Sequence, residues 1–236
     1  MAFVMSGSEP AGNPINEYFR ESLLVGGEAT RLYLVRHAQS EENTGEDLNT
    51  GDADLTKVGR EQARLLGERL AQQKVDAIYA SPLSRTRQTA AAVADASGLD
   101  IRITADLREV TLGAADFDIR RMPEDERERI HERILSEGTW DAFPGSEGSA
   151  NARRRTLAVI SEIAAANEGK RVVVVTHSAF MMTFFSVILG LQRDFMFYPF
   201  NASITSVRAK DRRFVLWRLN DVAHLEGMPA GLGGIS

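Results

Sequence analysis

Two short apolar runs, each ending abruptly in histidine, constrain this chain more than any other feature. Arg31-Leu32-Tyr33-Leu34-Val35 runs into Arg36-His37, and Val172-Val173-Val174-Val175 runs into Thr176-His177. Each run is rich in β-branched residues and turns polar at once, which predicts a buried strand of a parallel sheet. In open α/β sheets the ligand crevice lies beyond the carboxyl ends of the strands. Two imidazoles and a guanidinium delivered there predict a cationic pocket shaped for an anion.

The rest of the chain supplies the helices that such a sheet requires. Residues 1–29 read as a polar leader with Gly26-Gly27 as a hinge; Asn16 to Leu24 suits either a short helix packed on the domain or a disordered tail. A polar loop, Glu41 to Asp54, leads to a helix from Thr56 to Gln72 with Val58, Leu65, Leu66 and Leu70 on one face. Strand Asp76 to Ala80, a helix from Leu83 to Ala96 ended by Gly98, and strand Ile101 to Thr104 follow. Residues 110–148 form a long connection with its own helix, Pro123 to Ser136, anchored by Ile130, Ile134 and Leu135. An excursion of that length suits a binding lid, placed at 112–147. A helix from Ser149 to Asn167 precedes the second histidine strand, and the apolar stretch Ala179 to Leu189 predicts a core helix. Ile204 to Val207 and Phe214 to Leu219 form a hairpin, and residues 221–236 a flexible tail. Alternating strands and helices predict a three-layer α/β/α sandwich with a mostly parallel central sheet, spanning residues 30–220.

Composition narrows the function. At 236 residues the length fits one α/β domain, and the net charge of -5 disfavours nucleic acid as a partner. The lack of cysteine excludes disulfides and thiolate chemistry and fits a cytoplasmic protein; no apolar run has the length of a membrane span. Arg85, in Ser81-Pro82-Leu83-Ser84-Arg85, falls in the first turn after the strand ending at Ala80. A cation at a helix N-terminus is unfavourable unless an anion shares the site.

Several of these segments together resemble the histidine phosphatase superfamily, in its phosphoglycerate-mutase-like branch. Leu34-Val35-Arg36-His37-Ala38-Gln39-Ser40-Glu41-Glu42-Asn43 is similar to its RHG signature. The likeness continues through Leu55-Thr56-Lys57-Val58-Gly59, Ser81 to Ala90, Leu107-Arg108-Glu109, Val174 to His177 and Asn201-Ala202-Ser203-Ile204. The resemblance implies that His37 is the nucleophile and that Arg36, Arg85 and His177 grip the phosphoryl oxygens. It makes Asn43 a further donor, a residue that on its own also suits holding a turn, and Glu109 the proton donor to the leaving alkoxide. It implies no cofactor and no metal. The partner it implies is a phosphorylated small molecule first and a phosphoprotein second, with no nucleic acid and no membrane; the oligomeric state stays open.

The chemistry suits these residue types. Arginine forks match phosphate oxygens bidentately. Neighbouring guanidinium groups disfavour an imidazolium, which leaves His37 unprotonated as a nucleophile near neutral pH. A covalent intermediate then splits one hard displacement into two easier ones. Departures from the family pattern bear on the substrate. Val110-Thr111-Leu112 stands where mutases carry Arg-His-Tyr, Glu42 where a Trp is frequent, and Ala38 where Gly is usual. These favour hydrolysis over mutase-type transfer, which is kept as the alternative together with a catalytically weak phospho-ligand binding module. Asp52-Ala53-Asp54-Leu55-Thr56 matches the pattern of magnesium-dependent haloacid-dehalogenase-like phosphatases but lacks the apolar strand before it, and Ser178 lacks the glycines of a nucleophile elbow. His131 and His224 read as surface histidines. Trp140 and Phe143 suit either walling the pocket or anchoring the lid.

Overall fold

The computed structural model describes residues 14–26, 28–45, 52–113 and 122–228. Within them run α1 (Pro14–Ser22), β1 (Thr30–Arg36), α2 (Glu41–Thr44), α3 (Lys57–Ala71), β2 (Ala77–Ala80), α4 (Ser84–Ser97) and β3 (Ile101–Ile103). Then come α5 (Glu124–Glu137), α6 (Ser149–Ala165), β4 (Arg171–Thr176), α7 (Ser178–Ile188), β5 (Ile204–Lys210) and β6 (Arg213–Asp221).

The strands form one sheet in the order β3-β2-β4-β1-β5-β6. β1 to β4 are mutually parallel where they pair, and β5 and β6 add an antiparallel edge. Alternation along the strands feeds two cores. Leu32, Leu34, Val172 and Val174 pack with Ile160 of α6 and with Phe180 and Phe184 of α7. Val35, Ile78, Val173 and Val175 pack with Leu66 and Leu70 of α3 and with Ala90 and Val93 of α4. The expected α/β sandwich is therefore the fold observed, and the apolar α7 is a core helix.

β1 and β4 are neighbours, with Arg36 opposite Thr176. From β1 the chain leaves toward α3 on one face, and from β4 toward α7 on the other. Adjacent parallel strands whose connections part in this way leave a crevice at their carboxyl ends. His37 and His177 are the residues that follow those two ends.

Local signals explain the element ends. Thr56 caps α3 by accepting the Gly59 N–H at 2.9 Å. Gly98 closes α4 at φ 70°. The hairpin turns at Asp211-Arg212, both at positive φ (50° and 62°), the conformation that suits a tight two-residue turn.

Several expectations change. The loop expected from Glu41 to Asp54 begins with the one-turn helix α2, and residues 46–51 of it lie outside the described residues. Of the leader, residues 14–26 carry α1, whose side chains from 16 to 22 are exposed, and the chain is held where the helix ends: Arg213 donates to the Ser22 carbonyl and Trp217 to that of Leu23. Residues 1–13 and Gly27, half of the expected hinge, lie outside the described residues, as do 114–121 of the lid and 229–236 of the tail. Residues 221–228 are not a flexible tail. Leu225 is buried, and Val222 and Met228 pack against the same core as α3 and α4. His224 is accordingly half-buried rather than a surface residue. Leu135 is 63% exposed and does not anchor α5, which rests on Ile130 instead. No helix among the described residues is long and apolar enough to cross a membrane.

Candidate active site

Backbone pairing brings the two histidines together. The His37 N–H donates to the Thr176 carbonyl at 2.9 Å, which continues the β1–β4 ladder by one residue. The two rings meet edge to face with centroids 5.3 Å apart. Both are buried, as are Arg36 and Arg85. Arg36 arrives on β1 and Arg85 on the first turn of α4, so three strand ends converge on one spot.

The His37 ring is oriented by its neighbour. Its Nδ1 lies 2.8 Å from the Ala38 carbonyl, which can only accept, so Nδ1 carries the hydrogen. The lone pair of the neutral ring is then on Nε2. Burial lowers the His37 pKa well below the usual histidine range, and Arg36, His177 and Arg85 push it the same way. Burial likewise lowers His177, reinforced by Arg85, Arg36 and Arg155. Both imidazoles are neutral near pH 7.

Around them lie buried nitrogens without a directed hydrogen bond among the described residues: Arg36 Nε, Arg85 Nε, Arg85 Nη1, which has the Glu42 carboxylate 3.3 Å away, and His177 Nδ1. Buried donors left unpaired are costly, and a cluster of them marks a place built for an acceptor. The remaining polar atoms hold the frame. Arg36 Nη1 donates to the Pro199 carbonyl at 2.8 Å, and its guanidinium stacks on Tyr198. His177 Nε2 is 2.9 Å from the Ser81 hydroxyl.

Asn43 holds a turn, as one of its two readings had it. Its Oδ1 accepts from the Ser40 N–H, the Ser40 hydroxyl and Asn201 Nδ2. Asn201 Nδ2 also donates to the His37 carbonyl at 3.0 Å. The Asn43 side-chain amide donors make no bond to the described residues. Glu109 reaches the first turn of α7, where Oε1 accepts from Phe180 N–H at 2.8 Å and Oε2 from Ala179 N–H at 3.1 Å. A carboxylate suits that positive helix end. Its backbone is held by Arg155, which donates to the carbonyls of Asp106, Arg108 and Glu109.

Other sequence candidates resolve differently. Asp52 accepts the Ser84 N–H, and Asp54 accepts from the Ser84 hydroxyl and from Gln88, so both carboxylates serve the N-terminus of α4. Ser178 donates to Glu109. Trp140 is an anchor: it is 3% exposed, and its Nε1 donates to Thr183 of α7 at 2.7 Å. Phe143 and Phe195 pack beside it. Ala38 does not have a positive φ, so its methyl stands where glycine is usual without strain.

Sequence reasoning assigned no role to Ser81, Asn201, Gln62 or Tyr198. Gln62 is buried on α3 and accepts the Gln39 N–H at 2.8 Å. Ser81 and Asn201 stood inside segments that carried the family resemblance. Gln62 and Tyr198 had no local signal, because a polar residue on a helix face and an aromatic in a loop have many uses.

Two neutral imidazoles and two guanidiniums at a switch point make a pocket suited to a phosphoryl group. Comparison with known proteins agrees. The family model of the histidine phosphatase superfamily (branch 1) matches residues 32–222, and the chain belongs to that family. Phosphoserine phosphatase 1 of Hydrogenobacter thermophilus is 32% identical over 203 residues, covering 83% of this chain and 94% of the relative. An Enterobacter protein named "Probable phosphoglycerate mutase GpmB" is 34% identical over 163 residues, 68% of this chain and 75% of the relative. Among solved structures, a mycobacterial glucosyl-3-phosphoglycerate phosphatase superposes with a TM-score of 0.69 at 25% identity, covering 80% of this chain and 98% of its own.

Proposed function

We propose that this protein is a metal-independent phosphatase that hydrolyses phosphate monoesters through a phosphohistidine on His37. The observation that carries the reading is the cluster of buried nitrogens on Arg36, Arg85 and His177 that make no directed hydrogen bond to the described residues, around a neutral histidine whose Nε2 bonds no other described residue. The Arg36 and Arg85 charges stabilise the equatorial oxygens as the bond to Nε2 forms and the ester P–O bond breaks. Glu109 gives its proton to the departing alkoxide. It then takes a proton from the water that attacks phosphorus, and the P–N bond breaks to release inorganic phosphate and neutral His37. The donors common to every monoester give affinity, while contacts to the leaving group contribute discrimination. Relatives named for phosphoserine and glucosyl-3-phosphoglycerate support a phosphorylated small molecule as substrate. A cytoplasmic setting fits such metabolites.

Mutase-type transfer is less well supported by the segment after Glu109. Val110 is buried against Trp140 and Ala179, so its side chain is no phosphoglycerate clamp.

Two experiments test the proposal. His37→Ala should fold and lose essentially all turnover, while rapidly quenched wild-type protein should yield acid-labile phosphate on His37. Activity on an aryl phosphate should survive EDTA; strict dependence on added magnesium would defeat the mechanism.

A further inference from the structure

The helix α2 places a carboxylate against the phosphate grip. Glu42 Oε2 lies 3.3 Å from Arg85 Nη1, and that nitrogen is buried and makes no properly directed hydrogen bond. The Glu42 side chain is 49% exposed, so it approaches from the mouth of the site while Arg85 lies in its wall. Neither end of α2 is free to carry Glu42 away. Asn43 ties it to Ser40 and Asn201, and Gly45 closes the turn at φ 78°.

This arrangement creates an electrostatic problem once an ester binds. A phosphoryl dianion takes the Arg85 donors, and Glu42 is left facing like charge across a few ångströms. The protein provides no nearby relief along this stretch of chain. From Ser40 to Thr56 it carries six acidic side chains and no basic one. Asp52 and Asp54 are already engaged at α4. A cation on the substrate, close to the ester oxygen, satisfies Glu42 and the phosphoryl group together; a carboxylate there adds a third negative charge.

Resting on the phosphatase reading above, we propose that Glu42 is a specificity-determining residue. It selects phosphomonoesters whose alcohol carries a protonated amine near the ester oxygen, over neutral and carboxylate-bearing esters. This divides esters that the phosphate grip alone treats alike.

The test compares kcat/KM for phosphoethanolamine, its N-acetyl derivative and phosphoglycolate, with p-nitrophenyl phosphate as a generic ester. The wild-type protein should favour the free amine over the acetylated ester by about tenfold or more, with phosphoglycolate last. Glu42→Gln should shrink the amine preference to within about twofold, and Glu42→Lys should move phosphoglycolate to the front. Absence of the amine preference in the wild type, or its survival in Glu42→Gln, overturns the inference. Equal acceleration of all three esters by Glu42→Gln also overturns it, because Glu42 would then be a plug on Arg85 rather than a selector. Hydrolysis of p-nitrophenyl phosphate without amine preference defeats this inference alone, whereas failure to hydrolyse any ester defeats the phosphatase reading. In that second case calorimetry decides separately. Phosphoethanolamine should bind His37→Ala more tightly than phosphoglycolate does, and adding Glu42→Gln should remove the difference; equal binding of the two esters to His37→Ala overturns the selector role.

Discussion

The hydrogen bond from His37 Nδ1 to the Ala38 carbonyl decides which nitrogen reacts. In the proposed mechanism phosphorylation is confined to Nε2, so the intermediate should be the tele isomer, and recovery of the pros isomer from quenched enzyme would contradict the assignment. The same ring should titrate well below the ordinary histidine pKa of about 6.5, because burial and then the flanking arginines oppose its charge. Arg85→Met removes one of those charges and should raise the His37 pKa, read by NMR titration of the free protein. Glu109 invites a different measurement, since it also caps α7. Glu109→Gln should lose about 10²–10⁴-fold in kcat on alkyl phosphates. The loss should be far smaller on p-nitrophenyl phosphate, whose leaving group departs without a proton. A purely structural Glu109 would slow both substrates alike.

At the scale of elements, the position of α3 shows how a small residue serves a site it never touches. A Cβ on Gly59 would lie 1.9 Å from the Gln39 carbonyl oxygen, in the loop that follows His37. Gly59→Ala should therefore destabilise the protein by about 1–3 kcal/mol or more and lower kcat/KM by displacing that loop. Unchanged thermal stability and unchanged kinetics would show that α3 has room to move. Trp140 joins the long connection to α7, so Trp140→Ala should cost about 3–5 kcal/mol. It should shift kcat/KM for different esters together rather than reorder them. The strands and α7 were legible in the sequence because their apolar runs have one good use, burial in this sheet. So was the meeting of His37, Arg85 and His177, since two follow a strand directly and Arg85 stands in the first helical turn after one. The short α2 and the packing of 222–228 were not, because four residues of helix and one buried leucine leave no periodicity to read. Nor was the posture of Glu109 on α7, which depends on how far two loops approach in space.

For the molecule as a whole, the buried histidines couple stability to pH. Burial lowers the folded-state pKa of His37, His177 and His224, while the unfolded chain protonates near 6.5. Below that value the unfolded state binds more protons than the native state, so stability falls as pH falls. The loss should begin near pH 6.5, above the range where carboxylates titrate. It should approach about 1.4 kcal/mol per pH unit for each histidine that stays neutral in the native state. Thermal melts from pH 7.5 to 5.5 measure it, and His224→Gln should flatten the slope without touching the phosphate grip. A melting temperature constant over that range would contradict the burial of these rings.

β1 and β4 lie in the interior of the sheet, each paired on both sides, and the His37 amide belongs to their ladder. Amides there exchange with solvent deuterium only when the whole domain opens, whereas fraying elements exchange through small local fluctuations. The nucleophile's own amide should thus be among the last protons the molecule surrenders. Denaturant too dilute to unfold the domain should leave the reacting histidine in place even after the outer elements have begun to breathe.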